Sequence, residues 1–168
     1  MEALLESIEL SAETENWNSA IALSLMIPDI CPALAGVPQG RARYLDWFRD
    51  HALSRFSIIN SYINIALLSA EECYAMRCSI LHAGTDELSV DKKNPNLSKI
   101  IFTTTGSSFV RIDDVLIIHP ADFAHRMCAS ARGWIATVSG DSDIQDRMKK
   151  MTKVEDSVFS PIPGVYIE

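Results

Sequence analysis

Apolar residues recur three or four positions apart along most of the chain, the pattern of helices that bury one face. Leu4, Leu5, Ile8 and Ala12 repeat this way among glutamates, predicting a short amphipathic helix over 2–14. Asn16 or Asn18 starts a second helix, which buries Trp17, Ala20, Ile21, Ser24, Leu25 and Met26 and is expected to stop at Pro28. The prolines and glycines of PDICPALAGVPQG then predict a compact irregular link. From Gly40 a third helix is expected, with Tyr44, Phe48, Ala52, Phe56, Ile59 and Ile63 in register, reaching Phe56 and continuing toward Leu68.

The helix predicted over 69–84 carries signals at both ends. Ser69 and Glu72 are spaced as a capping box, and Gly84 stands where a left-handed terminal residue is wanted. At about 100° per residue, Tyr74, Cys78 and Leu81 share one arc while Met76, Ile80 and Ala83 lie opposite. Glu71, Glu72, Ser79 and His82 form a polar strip, but Arg77 falls outside it, in the apolar arc. A guanidinium cannot be neutralised, so its burial requires an anion, a hydrogen-bonding partner or an opening for a ligand.

Beyond a polar loop, LSKIIFTTT and FVRIDDVLIIH flank a GSS turn signal, predicting a β-hairpin near residues 97–118 inserted between helices. Asp113 and Asp114 are expected on opposite faces of its second strand and so form no dyad. Pro120 opens another helix that buries Phe123, Met127, Ala131, Trp134 and Val138 and ends at Gly140. A short helix from about Asp141 to Thr152 buries Ile144, Met148 and Met151, and an extended tail follows from about 157. The expectation is a mainly α, single domain over 1–168.

Composition narrows the partners. With 48% hydrophobic and 22% charged residues the chain has the make-up of a folded globular protein. A net charge of −7 excludes nucleic-acid binding by bulk electrostatics, so any RNA contact is local and no DNA is expected. Arg41, Arg43, Arg49, His51 and Arg55 form a basic region interrupted by Asp46 and Asp50, the composition of an ion-paired solvated face. Cysteines 31, 73, 78 and 128 lack paired metal spacing, which predicts buried thiols in a reducing interior. The acidic N-terminus has no leader pattern, and no segment is expected to be long enough to cross a bilayer, so the expectation is a cytoplasmic protein with no membrane contact.

No phosphate-binding glycine loop, GxSxG elbow, HExxH or CxxC pair occurs, and no cofactor is expected. What remains is Tyr74-x-x-Arg77-x4-His82-x-Gly84 at the end of a helix. This motif resembles that of the HEPN family of helical nucleases and nucleotide-binding domains, over about a dozen residues. The resemblance implies a HEPN-like helical bundle, commonly a homodimer, that binds RNA or cuts it without metal, often within a toxin, defence or stress system. It further implies that Arg77 holds the scissile phosphate and His82 handles protons as the ribose 2′-oxygen attacks phosphorus. The products would be a cyclic phosphate and a free 5′-hydroxyl.

On an α-helix, five residues put Arg77 and His82 about 140° apart, on either side of the Tyr74, Cys78 and Leu81 seam. They are therefore expected to meet across a dimer axis rather than within one chain. In the competing reading, Arg77 pairs with a buried acid or caps a carbonyl, His82 hydrogen-bonds near the helix end, Tyr74 and Cys78 fill the core, and the protein is a non-catalytic helical dimer serving as a scaffold or regulatory partner. A third constellation, His119, Asp122 and His125 at three-residue steps, has donors suited to a divalent metal, though such steps drift around a helix and a polar first turn is ordinary.

Overall fold

Six α-helices and three small sheets account for most of the described residues of the computed structural model, which cover 1–59, 64–88, 97–106, 108–152, 159–162 and 165–167. The first helix, α1 (Glu2–Glu13), buries Leu5, Ile8 and Ala12 as its spacing predicts.

The second differs from expectation. Helix α2 (Trp17–Leu34) does not stop at Pro28 but runs through both Pro28 and Pro32. Each proline removes a backbone donor and crowds the preceding turn, at a cost of roughly 3 kcal/mol. Nine residues of α2 are buried, at about 1.5–3 kcal/mol for each large apolar side chain, and that burial outweighs the local penalty. At 18 residues with a mean hydropathy of 1.2, α2 is long and apolar enough to cross a membrane, contrary to the expectation that no segment is. Here it packs against α1 and further helices, and half of it is buried.

Helix α3 (Arg41–Trp47) continues as a π turn (Phe48–Ala52) and a 3-10 turn (Leu53–Phe56), keeping Tyr44, Phe48, Ala52 and Phe56 buried. It does not proceed toward Leu68. Strands β1 (Ser57–Ile59) and β2 (Asn64–Ala66) pair antiparallel instead, with Ile58 opposite Ile65, because β-branched neighbours favour a pleated ladder. Ile63 lies outside the described residues.

Helix α4 (Ala70–Cys78) begins with the predicted capping box: Glu72 N–H donates to Ser69 Oγ at 3.2 Å, and Ser69 N–H to Glu72 Oε2 at 2.9 Å. It passes into a second π turn (Ser79–Ala83) closed by Gly84 at φ +64°. The polar strip is only half present, since Glu72 and Ser79 are buried.

The predicted hairpin is a three-stranded sheet. β3 (Lys99–Phe102) lies parallel to β5 (Val115–Ile118), which pairs antiparallel with β4 (Val110–Ile112), in the order β3-β5-β4. Its tight turn is Asp113 and Asp114, with Asp113 at φ +53°, rather than the GSS segment. A short acidic side chain tolerates the left-handed region, so these residues leave the strand that was expected to carry them.

Helix α5 (Pro120–Thr137) starts at its proline and ends one turn before Gly140. Phe123 sits 5.8 Å from Phe56 and 6.1 Å from Phe102 between ring centroids, joining the helical core to the sheet. Helix α6 (Ser142–Lys149) is capped by Asp141, which accepts from the N–H groups of Asp143 and Ile144 at 3.0 Å. The tail does not simply run extended: β6 (Phe159–Ile162) and β7 (Val165–Ile167) pair antiparallel. The fold is mainly α, with the C-terminal end of α4, the π turn after it and the second half of α2 setting the stage for the polar cluster described next.

Candidate functional site

A single charged residue stands in the uncharged stretch of α2, and a single arginine in the apolar arc of α4. They meet. Arg77 Nε donates to Asp29 Oδ2 at 3.0 Å, with the two side chains 23% and 26% exposed. On the other side of the carboxylate, Arg43 Nη2 lies 3.9 Å from Asp29 Oδ1, while Arg43 Nη1 donates to the Val37 carbonyl at 3.1 Å. Two guanidinium groups thus share one carboxylate, leaving one positive charge on a protein whose total is −7. Burial pulls Arg77 toward deprotonation, but Asp29 outweighs it and holds the group above its ordinary value.

His82 contacts the same guanidinium through Arg77 Nη1 and its own Nε2. This overturns the expectation that residues five apart cannot meet within one chain. The π turn over Ser79–Ala83 takes up the extra residue, so that side chains five apart stack on one side. Pairing within the chain removes the spacing argument for a dimer. An arginine only donates, so Nε2 is the acceptor and the ring proton sits on Nδ1. In this contact the Nε2 lone pair is masked by Arg77.

The expected seam is half open. Tyr74 packs edge-on against buried Tyr44 with centroids 5.3 Å apart, and the Arg41 guanidinium lies 5.4 Å from its ring. Burial, and next Cys78, push the Tyr74 hydroxyl upward, which keeps it a donor at neutral pH. Tyr74, Cys78 and Leu81 are each partly exposed. Cys78 therefore departs from the expectation of buried thiols, while Cys31, Cys73 and Cys128 meet it. Burial raises the Cys73 and Cys128 thiols to about 12, leaving them protonated.

Beyond Leu81 opens a groove of about 480 Å³ lined by Ile21, Ala22, Ile80, Leu81 and Phe102, with Asn18 at its side. At 100° per residue, Asn18, Ala22 and Asp29 lie within about 40° of one another on α2, so groove and ion pair share a helix face. Seven residues separate Ala22 from Asp29, about 10 Å along the axis.

The basic region around α3 is ion-paired in part: Arg49 bonds both Asp46 and Glu71, Arg43 reaches Asp29, and Arg41 lies over the Tyr74 ring. His119, Asp122 and His125 do not assemble. His119 packs edge-on to Trp17 at 6.0 Å, Asp122 accepts from Arg126 at 3.1 Å, and His125 is exposed. Among the described residues no three His, Cys, Asp or Glu side chains are grouped to hold a metal.

Asp29 was not among the residues singled out from the sequence, and Arg43 was read only as part of an ion-paired basic face. The signal was present, because Asp29 is the only ionisable carboxylate or base between Trp17 and Leu34. Ending the helix at Pro28 placed that acid in a loop and hid its meaning. Compared with protein-family models, curated proteins and solved structures, the chain has no significant match to any.

Proposed function

We propose that the protein is a HEPN-like, RNA-directed domain in which Arg77 and His82 cut the RNA backbone without metal. The observation that carries this reading is the direct contact of Arg77 with His82 at a partly exposed helix end. An incoming phosphodiester presents two oxygens to a planar guanidinium, a better-matched partner than one imidazole nitrogen. As the phosphate takes Arg77, Nε2 of His82 is released. The freed lone pair is then beside the ribose, where it accepts the 2′-hydroxyl proton as the 2′-oxygen bonds to phosphorus. The P–O5′ bond breaks, the 5′-oxygen leaves as a hydroxyl with a proton from water, and Arg77 balances the charge that develops on the phosphate oxygens. Arg43 stays on Asp29, so the departing Arg77 leaves no stranded carboxylate.

The groove beyond Leu81 supports a single-stranded substrate. Ile21, Leu81 and Phe102 offer apolar and aromatic surface to a base flanking the cut, and a spacing of about 10 Å from Asp29 matches a distance of one to two nucleotides. The half-exposed seam of Tyr74, Cys78 and Leu81 is the surface we assign to a second copy of the chain, giving a homodimer.

One observation favours a second reading. The ion pair between Arg77 and Asp29 is an internal partner of the kind a structural arginine takes, and it ties α4 to α2. On that reading the protein is a non-catalytic helical scaffold or regulatory partner. Incubating a mixed-sequence RNA with wild type, Arg77→Ala and His82→Ala, with chelator present, decides between them. The nuclease reading expects cleavage that falls at least about 100-fold in both variants, with 2′,3′-cyclic phosphate ends. Equal cleavage by all three proteins, or none by wild type, leaves the scaffold.

A further inference from the structure

A second cavity, about 370 Å³, opens where the end of α2 meets the link at 35–40 and helix α3. Its walls are of three kinds. Pro32, Ala35 and Trp134 supply apolar surface, Arg43 and Trp47 supply N–H groups, and Asp46 and Asp50 supply carboxylates.

The two donors are the informative feature. Arg43 Nε and Trp47 Nε1 are both buried without a hydrogen-bond partner. Trp47 as a whole is 4% exposed, and the Arg43 side chain 12%. A serine hydroxyl in this position could rotate to accept a bond. An indole or guanidinium N–H only donates, so each remains unsatisfied, a costly state for a buried donor. Both residues line this one cavity while the two nitrogens themselves lie covered just beneath it, so a small shift of the side chains would offer them to an acceptor with two oxygens. The carboxylates supply the opposite charge: Asp46 is paired with Arg49, whereas Asp50 is exposed and has no ion-pair partner among the described residues. A purely anionic ligand would meet Asp50, and a purely cationic one would meet Arg43. The π turn over Phe48–Ala52 holds Asp50 and His51 at this wall, and His51 leans on the Trp47 ring at 5.5 Å.

We propose that this cavity binds a free α-amino acid with an apolar side chain. Its carboxylate accepts from Arg43 Nε and Trp47 Nε1, both covered until a small rocking of the indole and the guanidinium brings them to the cavity. Its ammonium faces Asp50, and its side chain lies on Pro32, Ala35 and Trp134. The volume is at the small end of ligand pockets, suited to a molecule of this size. Because Arg43 also touches Asp29, an occupant adjoins the ion pair that restrains Arg77, but binding itself requires no ribonuclease activity.

The test is calorimetric titration of the purified full chain with leucine and with phenylalanine, alongside N-acetyl-leucine and leucinamide. Saturable binding is expected for at least one amino acid, weakened at least about ten-fold by Trp47→Phe and by Asp50→Asn and unchanged by His82→Ala. The two blocked analogues should lose at least as much, one lacking the ammonium and the other the carboxylate. Trp47→Phe keeps the ring while deleting the donor, and Asp50→Asn alters an exposed residue, so both variants are expected to fold. Absence of saturable heat up to about 10 mM for both amino acids overturns the proposal. So does binding that ignores both substitutions, and N-acetyl-leucine binding as tightly as leucine rejects the zwitterion.

Discussion

Arg77 and Asp29 stand 48 residues apart in sequence and 3.0 Å apart in space, Nε to Oδ2. The contact closes the end of α4 onto the proline-bearing half of α2. It also fixes the side chain on which both functional readings turn.

Asp29→Asn separates its structural and electrostatic roles. Both partners are roughly a quarter exposed, so solvent screens the pair and its loss costs only about 0.5–1 kcal/mol, a fall of a few degrees in Tm. In the nuclease reading the neutral amide no longer competes with phosphate for Arg77. Affinity for a 2′-O-methyl RNA, which cannot be cut, should rise several-fold at low salt by filter binding. An unchanged affinity would assign the ion pair to stability alone.

Glu72 joins a helix cap to the sheet. One carboxylate oxygen accepts from Ser69 N–H at 2.9 Å, the other from Arg111 Nη1 at 2.8 Å, and the side chain is 5% exposed. Glu72→Ala removes both contacts and should destabilise the fold by about 2–4 kcal/mol, read as a lower urea midpoint with an unchanged m-value. Ser69→Ala removes the reciprocal cap bond only, at about 1 kcal/mol. Equal effects would mean that the part-buried Arg111 contact adds nothing.

The pairing of Glu9 with Arg132 makes a pH-dependent clamp between α1 and α5. Arg132 donates from Nη2 to Glu9 Oε2 at 2.8 Å, and this hydrogen bond holds the Glu9 carboxyl below its ordinary 4.5. A depressed carboxylate contributes stability above the unfolded value and loses it as pH falls through the folded one. Arg132→Met should therefore cost roughly 0.5–1 kcal/mol at pH 7, with the gap closing below about pH 4.5. Thermal melts of both proteins at pH 7 and pH 3 check this, and a gap that stays constant contradicts the clamp.

Local patterns foretold the amphipathic helices and the cap on α4. Leu5, Ile8, Phe123, Met127 and Trp134 are buried at the positions their spacing predicts, and Gly84 takes the left-handed conformation expected of it. The errors cluster where long-range packing overrode a local rule. Pro28 ought to end a helix, yet the surrounding helices bury that turn and carry α2 on to Leu34. The run through Phe56 ought to stay helical, yet Ile58 finds Ile65 across a ladder. KIIF ought to join a simple hairpin, yet it pairs in parallel with β5.

From residue order alone came a mainly α chain, an arginine out of place in an apolar arc and a histidine five residues on, because periodicity and capping are short-range effects encoded within a turn or two. Which groups that arginine touches depended on the whole fold. Only the path of α2 brings Asp29 to Arg77, and only the widened turn after Cys78 swings His82 onto the same guanidinium. Burial summed over many residues sustains both departures from regular helix geometry, and a sum over distant neighbours is not written in any local stretch.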